Sequence, residues 1–177
     1  MCETLVSIAR EKAGIIKAGV SVILAPQALE AEAVILETAA KVGAPVVQVG
    51  RHVRWQWRPV FLEGLPAGRV EISTAGARYG NLEIPLGGRA QAMNAACAVA
   101  AAEVLLGQQA DQTRFRTALR HVAWPGRFQA FPGPVTLILD GAHNADSVEK
   151  LVEAVRDYYP GQRTAWVFAL SLIHISE

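Results

Sequence analysis

Apolar positions along the first fifty residues recur with two alternating patterns. Helical spacing predicts helices at residues 5–19 and 27–42. Short apolar runs predict strands at residues 20–25 and 45–50. The order helix, strand, helix, strand is typical of a parallel sheet that helices cover.

The pattern changes in the middle of the chain. Residues 53–63 and 68–88 alternate between apolar and polar positions, and Gly, Pro and Asn interrupt them. This alternation predicts two or three antiparallel strands at the edge of the sheet. An alanine-rich helix at 90–106 and another helix at 111–121 are expected to follow.

The last third of the chain returns to the first pattern. We expect a strand at 135–139, a helix at 145–158 and a strand at 164–170, which together form a βαβ unit. The proline-containing stretch at 122–125 predicts a domain boundary, which gives domains at 1–122 and 123–177.

Composition narrows the function classes. The chain has 177 residues, 51% hydrophobic and 19% charged, with a net charge of +1, so we expect a globular protein without a nucleic-acid or membrane partner. With two cysteines, Cys2 and Cys97, we expect neither a disulfide framework nor a thiolate metal site. No signal peptide or membrane-length apolar run is evident, which favours a cytoplasmic location.

The sharpest break in the pattern follows the apolar run VTLIL, where Asp140 begins the turn DGAHN. In open α/β sheets ligands bind beyond the carboxyl ends of strands. Asp140 there could accept hydrogen bonds from ribose hydroxyls, and Asn144 could cap the following helix. The alternative is that both residues only shape the turn.

Lys12 falls on the apolar stripe of the first predicted helix, four residues after Ile8. Such a lysine usually extends its amine to water. The alternative is a partly buried neutral amine, which can react with carbon dioxide to give a carbamate. The carbamate would offer Mg²⁺ the oxygen ligands that it prefers.

Three other polar residues have both a functional and an ordinary interpretation. Asn94, in the first turn of the alanine-rich helix, could pair with an adenine edge or simply be a polar residue near a helix start. Arg127 could bind phosphate at the domain boundary or be an exposed arginine. His143 could orient a substrate or hydrogen-bond its own turn.

Four segments, in this order, resemble folylpolyglutamate synthase/dihydrofolate synthase of the Mur ligase superfamily: IAREKAGIIKAGVSVI, GRAQAMNAACAVAAAEVL, WPGRFQ and LILDGAHNADSVEKL. The resemblance implies an α/β fold. Residues 1–122 would form the end of a Mur-ligase-type ATP-binding domain, with a parallel sheet and antiparallel edge strands. Residues 123–177 would begin a Rossmann-like C-terminal domain, so we expect an internal fragment.

The resemblance also implies an activity, in which ATP and Mg²⁺ support the addition of L-glutamate to dihydropteroate or folates through an acyl phosphate. Lys12 would be carbamylated near the magnesium ion, and Asn94 would contact the ATP base. Arg127 would reach ATP, Asp140 would hold the ribose, and His143 would lie near the reacting groups. The full-length protein would be a monomer that acts on small molecules.

Two features depart from the family pattern. The phosphate-loop motif G-x-x-x-x-G-K-[ST] does not occur, so the chain is expected to be inactive alone. The final segment LSLIHISE lacks the turn that the family shows after its second C-terminal strand. A cell-wall-type Mur ligase and a non-catalytic nucleotide-binding module are the alternatives.

Overall fold

The computed structural model describes residues 4–107 and 110–169. Helices and strands alternate along residues 4–52, as the hydrophobic pattern predicts. The helices are α1 (Leu5–Ala13), α2 (Leu29–Val42), α3 (Arg89–Leu106), α4 (Gln112–Arg120) and α5 (Ala145–Tyr158). The strands are β1 (Val22–Leu24), β2 (Val46–Gln48), β3 (Arg54–Leu62), β4 (Leu65–Ser73), β5 (Arg78–Ile84), β6 (Gln129–Phe131) and β7 (Leu137–Leu139).

These strands form three small sheets. β1 and β2 pair in parallel, with α2 as the crossover between them, which confirms the predicted parallel pair. β3, β4 and β5 form an antiparallel meander of their own. The prediction of antiparallel strands is confirmed, but its placement at the edge of the parallel sheet is wrong, because the meander does not hydrogen-bond to β1 or β2. β6 and β7 form an antiparallel pair.

The larger of two hydrophobic cores lies between the β3–β5 sheet, α3 and α4. Its fully buried side chains include Val70, Ile72 and Leu82 from the sheet and Val99 from α3. α3 contributes mainly alanines, whose small side chains let the helix lie close to the sheet. This core therefore holds the beginning of α3 in a fixed place against the meander.

The smaller core joins α5 to the rest of the chain. It consists of Phe128, Ala154, Val155 and Tyr158, and Trp57 of β3 packs against both cores. The bounds of α5 agree with the sequence prediction, and Asn144 caps it as expected. Residues 121–128 connect α4 to β6, and the domain boundary within them stays a prediction.

Three local predictions are wrong. α1 ends at Ala13 instead of Gly19, because the Gly14 N–H bonds to Glu11 O at 3.1 Å and closes the last turn. β6 was missed, since the prolines and glycines around it indicate a connection. Of the predicted strand at 164–170, residues 164–169 pair with no strand, and residue 170 lies outside the described residues.

The parallel strand pair expected of a Rossmann-like unit is therefore not formed by residues 135–169; β7 instead pairs antiparallel with β6. The mixed α/β fold class is confirmed. In the described part of the chain no helix combines the length and the apolar character needed to cross a membrane.

Candidate functional site

The turn after β7 is fastened to the loop that carries Arg127. Asp140 Oδ2 accepts a hydrogen bond from the Phe128 N–H at 2.8 Å, and the Gly141 N–H donates to Gly126 O at 2.9 Å. Asp140 Oδ1 accepts from the Ala142 N–H, also at 2.8 Å. Asp140 therefore shapes its turn, as one of the two sequence interpretations has it. Each carboxylate oxygen still has a second lone pair with which to accept a ligand hydroxyl.

The backbone of Phe128 is in a strained conformation in this arrangement. Its φ of 46° lies in the left-handed region, which a bulky side chain rarely adopts. Its ring is buried against Gly87, where an added Cβ would come within 2.4 Å of Phe128 Cδ1. The buried ring and the Asp140 hydrogen bond together hold the backbone in this conformation. Arg127, between two fixed neighbours, is consequently held at a defined position.

Asn144 and Ser147 close the start of α5 with reciprocal hydrogen bonds. The Ser147 N–H donates to Asn144 Oδ1 at 2.9 Å, and the Asn144 N–H donates to Ser147 Oγ at 3.0 Å. This is a capping box, which satisfies N–H groups at the helix start. His143 is exposed, and its Nδ1 lies 2.9 Å from Gly141 O. The histidine thus bonds to its own turn, the ordinary interpretation of this residue.

A cavity of about 90 Å³ lies between the beginning of α3, the Arg127 loop and α5. Arg127 and Asp140 both line it, so the structure brings these two predicted site residues together. Asn94 does not line it, but the Asn94 Nδ2 donates to Gln91 Oε1 at 3.2 Å, and Gln91 does. The other lining residues are Gly87, Gly88, Ala90, Phe128, Ser147, Lys150, Leu151 and Ala154.

The cavity is suited to an anion. Gly88 precedes α3 and offers no side chain to cap it, and the first turn of α3 carries no acidic residue. The positive dipole end at the start of a helix favours a negative ligand. Arg127 and Lys150, which line the cavity, carry positive charge, although Asp146 offsets part of it at Lys150. This arrangement can hold a phosphate near Arg127 and a hydroxyl near Asp140.

Lys150 and Gln91 were missed in the sequence. Lys150 pairs with Asp146 one turn earlier on α5. The spacing of Ser147, Lys150, Leu151 and Ala154 would have placed the lysine on the cavity-facing side of α5. Gln91 lies one helical turn before Asn94, which is the corresponding signal on α3.

Lys12 lies outside the cavity, and its amine extends to water, as the first of the two sequence interpretations has it. Its side chain is 72% exposed, and Nζ pairs with Glu11 Oε1 at 3.2 Å. α1 buries Ala9 and Ala13 against α2 instead of the larger apolar residues on the predicted stripe. Small alanine side chains decide which face packs, so the amine stays in water.

A second cavity, of about 420 Å³, lies on the other side of the Arg127 loop. Its walls are mainly apolar and include Pro66, Leu86 and Trp124, and Arg127 lines it as well. Although it is larger, it contains neither Asp140 nor the beginning of α3. We therefore assign the candidate site to the smaller cavity, where the polar groups converge.

Comparison with known proteins shows which ligases the chain resembles. Residues 126–172 match the family described as Mur ligase, glutamate ligase domain. The chain is 34% identical, over 172 residues, to the dihydrofolate synthase/folylpolyglutamate synthase of Bacillus subtilis strain 168. That alignment covers 94% of the chain and 39% of the relative, so the chain spans about two fifths of that relative's length.

Solved structures give the same result. An FPGS-AMPPCP-folate complex superimposes with a TM-score of 0.83 at 28% identity, over 90% of this chain and 39% of that one. The folylpolyglutamate synthase of Mycobacterium tuberculosis, complexed with ADP and AMPPCP, superimposes with a TM-score of 0.78 at 26% identity. That superposition covers 88% of this chain and 35% of the other.

Proposed function

The chain belongs to the folylpolyglutamate synthase/dihydrofolate synthase branch of the Mur ligases, and on that premise we propose that it supplies part of the ATP site of a carboxylate–amine ligase. The observation that carries the proposal is the cavity that Arg127 and Asp140 share at the beginning of α3. Relatives of the same fold have been solved with the ATP analogue AMPPCP.

The proposed reaction has two steps. A carboxylate oxygen of the substrate attacks the γ-phosphorus of ATP, the bond from that phosphorus to the bridging oxygen breaks, and ADP leaves. The amino group of glutamate then attacks the acyl phosphate, an amide bond forms, and phosphate leaves with the acyl–oxygen bond pair while the amine loses a proton. Phosphoryl transfer of this kind depends on positioning and charge neutralisation.

The described residues would bind the nucleotide by complementary groups. The Arg127 guanidinium and the N–H groups at the beginning of α3 suit phosphate oxygens. The Asp140 carboxylate suits the ribose hydroxyls, because its orientation is fixed by two backbone N–H groups. The amides of Gln91 and Asn94, joined to each other, suit the edge of the base. His143 lies in the same turn, and its role near the reacting groups stays a proposal.

The described residues suit magnesium less well than they suit the nucleotide. Among residues 4–107 and 110–169, no group of three or more His, Cys, Asp or Glu side chains could hold a metal ion. Lys12 as a carbamate would supply oxygen ligands, but its amine is exposed and paired with Glu11. Mg²⁺ and the carbamate therefore remain proposals from the family, and no step of the reaction is assigned to the ion here.

The acceptor substrate is proposed from the relatives. The curated proteins that match this chain are named as folylpolyglutamate or dihydrofolate synthases, or as bifunctional proteins that contain the former activity. These names favour dihydropteroate or a folate, with L-glutamate, over a cell-wall precursor. We propose a cytoplasmic protein that acts on these small molecules as a monomer.

Isothermal titration of the 177-residue chain with AMPPCP tests the proposal. We expect one site per chain and an affinity that falls at least about tenfold in Arg127→Ala, since a hydrogen bond to a charged group contributes ~1.5–3 kcal/mol. Arg163→Ala is the matched control, because Arg163 is exposed and lines neither cavity near the Arg127 loop. No binding by the unmodified chain, or equal losses in both variants, would contradict the proposal.

A further inference from the structure

Tyr158, the last residue of α5, connects three separate segments through one hydroxyl group. It is 5% exposed, and its hydroxyl donates to Ala67 O of β4 at 2.5 Å. The Gly88 N–H, at the residue before α3, lies 3.4 Å from the same hydroxyl oxygen and donates to it. Residues 67, 88 and 158 are far apart in the sequence, so this hydroxyl fixes the distance between α5, the meander and the beginning of α3.

The ring of Tyr158 packs on the aromatic residues of the same junction. Its centroid lies 5.4 Å from that of Phe128, 5.7 Å from that of Phe61 and 6.5 Å from that of Trp57. Phe128 is the residue whose N–H holds the Asp140 carboxylate. The ring therefore supports the Asp140 side of the cavity, while the hydroxyl holds the Gly88 side.

The two cavity walls also meet directly beside Tyr158. The Phe128 ring packs against the backbone of Gly87, and a side chain at position 87 would displace the ring. Without a tie at this point, the beginning of α3 could shift relative to the Arg127 loop, because the main contact of β6 with the meander is with β4 and not with the beginning of α3. A shift of that kind would separate the groups proposed to bind phosphate, ribose and base.

We infer that Tyr158 is a positioning residue for the nucleotide site: its hydroxyl sets the spacing between the beginning of α3 and the Asp140 turn without touching the nucleotide. This inference rests on the proposed function. It predicts that nucleotide affinity depends on the Tyr158 hydroxyl even where folding does not.

Tyr158→Phe tests the inference, because it retains the ring and removes both hydrogen bonds. Tyr159→Phe is the matched control. Tyr159 is the next residue, its ring packs edge-on against Phe61 at 6.2 Å, and no hydrogen bond of its hydroxyl is found among the described residues. Circular dichroism and thermal unfolding of both variants establish the temperature at which each is fully folded, and all comparisons are made there.

Amide hydrogen exchange measures the tie itself and needs no nucleotide. In Tyr158→Phe, exchange in peptides that cover 87–91 and 126–142 should be about fivefold or more faster, the factor that loss of one ordinary hydrogen bond gives. Affinity for AMPPCP should fall by a similar factor, while Tyr159→Phe changes both by less than about twofold. Exchange in peptides from α1 and α2 should stay as in the unmodified chain.

Four results would overturn the inference. Unchanged exchange in both segments shows that the hydroxyl does not tie them, whatever the nucleotide does. Faster exchange throughout the chain shows a general loss of stability in place of positioning. Faster local exchange with unchanged AMPPCP affinity shows a tie without a part in binding. An unmodified chain that fails to bind AMPPCP overturns the proposed function and Tyr158's part in it, and the exchange data distinguish this case from the first.

Discussion

The backbone N–H of Phe128 donates to Asp140 Oδ2 at 2.8 Å, and this bond joins the loop that carries Arg127 to the turn that follows β7. The two partners lie twelve positions apart in the sequence. The carboxylate thus has a structural part, and the site residues on either side of the bond depend on it for their relative placement.

Asp140→Ala should therefore lower both stability and nucleotide affinity. The Phe128 and Ala142 N–H groups lose their acceptor, which we expect to cost ~1–3 kcal/mol of the free energy of unfolding. Denaturant unfolding and AMPPCP titration check the two effects, and unchanged stability would show that water replaces both lost hydrogen bonds.

Asn144→Ala should lower stability without weakening AMPPCP binding. The variant removes the capping box at the start of α5, and loss of an Asn cap costs ~1 kcal/mol. Glu149→Ala, at an exposed position of the same helix, is the control and should change the free energy of unfolding little. A fall in AMPPCP affinity at a temperature where the variant is folded would show that the cap also serves the site.

Lys150→Ala should weaken AMPPCP binding by up to about fivefold at low salt, since an exposed ionic contact contributes ~0.2–1 kcal/mol. Lys41→Ala is the matched control for Lys150→Ala. Lys41 pairs with Glu37 on α2 as Lys150 pairs with Asp146 on α5, but it lies away from the cavity. The difference between the variants should shrink as salt is added. Equal affinities of the two variants at low salt would show that Lys150 takes no part in nucleotide binding.

Stability should fall as the pH rises above 10. Burial raises the pKa of Tyr158 from 10.0 to about 12, so between these values the unfolded chain loses a proton that the folded chain keeps. Burial, with the hydrogen bond to Glu103, also raises the pKa of Tyr79. Tyr158→Phe should remove only the Tyr158 part of this pH dependence. Denaturant unfolding from pH 8 to about 11 checks it, and identical slopes in both chains would contradict it.

The sequence predicted α5 and its cap well because their signals are local. Asn144, the small residue three positions later and the amphipathic pattern all lie within one segment. The sequence left the exposure of Lys12 open, because the buried face of α1 is chosen by α2, through alanines that carry little weight in a hydrophobic pattern. The pattern on one helix cannot show which face its neighbour will cover.

The candidate site likewise contains residues that local signals predict and residues that they do not. Asp140 and Arg127 were identified from motifs, and the structure brings them together. β6, Lys150 and the Tyr158 tie were not identified, because each depends on a contact between distant segments. β6 is a strand only because β7 pairs with it, and the Tyr158 hydroxyl reaches residue 67.

The unmodified 177-residue chain should bind nucleotide without turning it over. It lacks a phosphate-loop motif, whose backbone N–H groups and lysine hold the β- and γ-phosphates. Phosphate release with ATP, Mg²⁺, glutamate and dihydropteroate or a reduced folate should stay at background. Robust, substrate-dependent release would require a phosphate site elsewhere in the chain.

The central claim is that nucleotide binds in the cavity between the beginning of α3 and the Asp140 turn. Nuclear magnetic resonance of the isotope-labelled chain, titrated with AMPPCP, tests it most directly. We predict saturable chemical-shift changes concentrated at Gly88, Gln91, Phe128 and Gly141, with small changes around Trp124 in the second cavity. Changes centred on Trp124 and Leu86, or none at saturating AMPPCP, would contradict the assignment of the site.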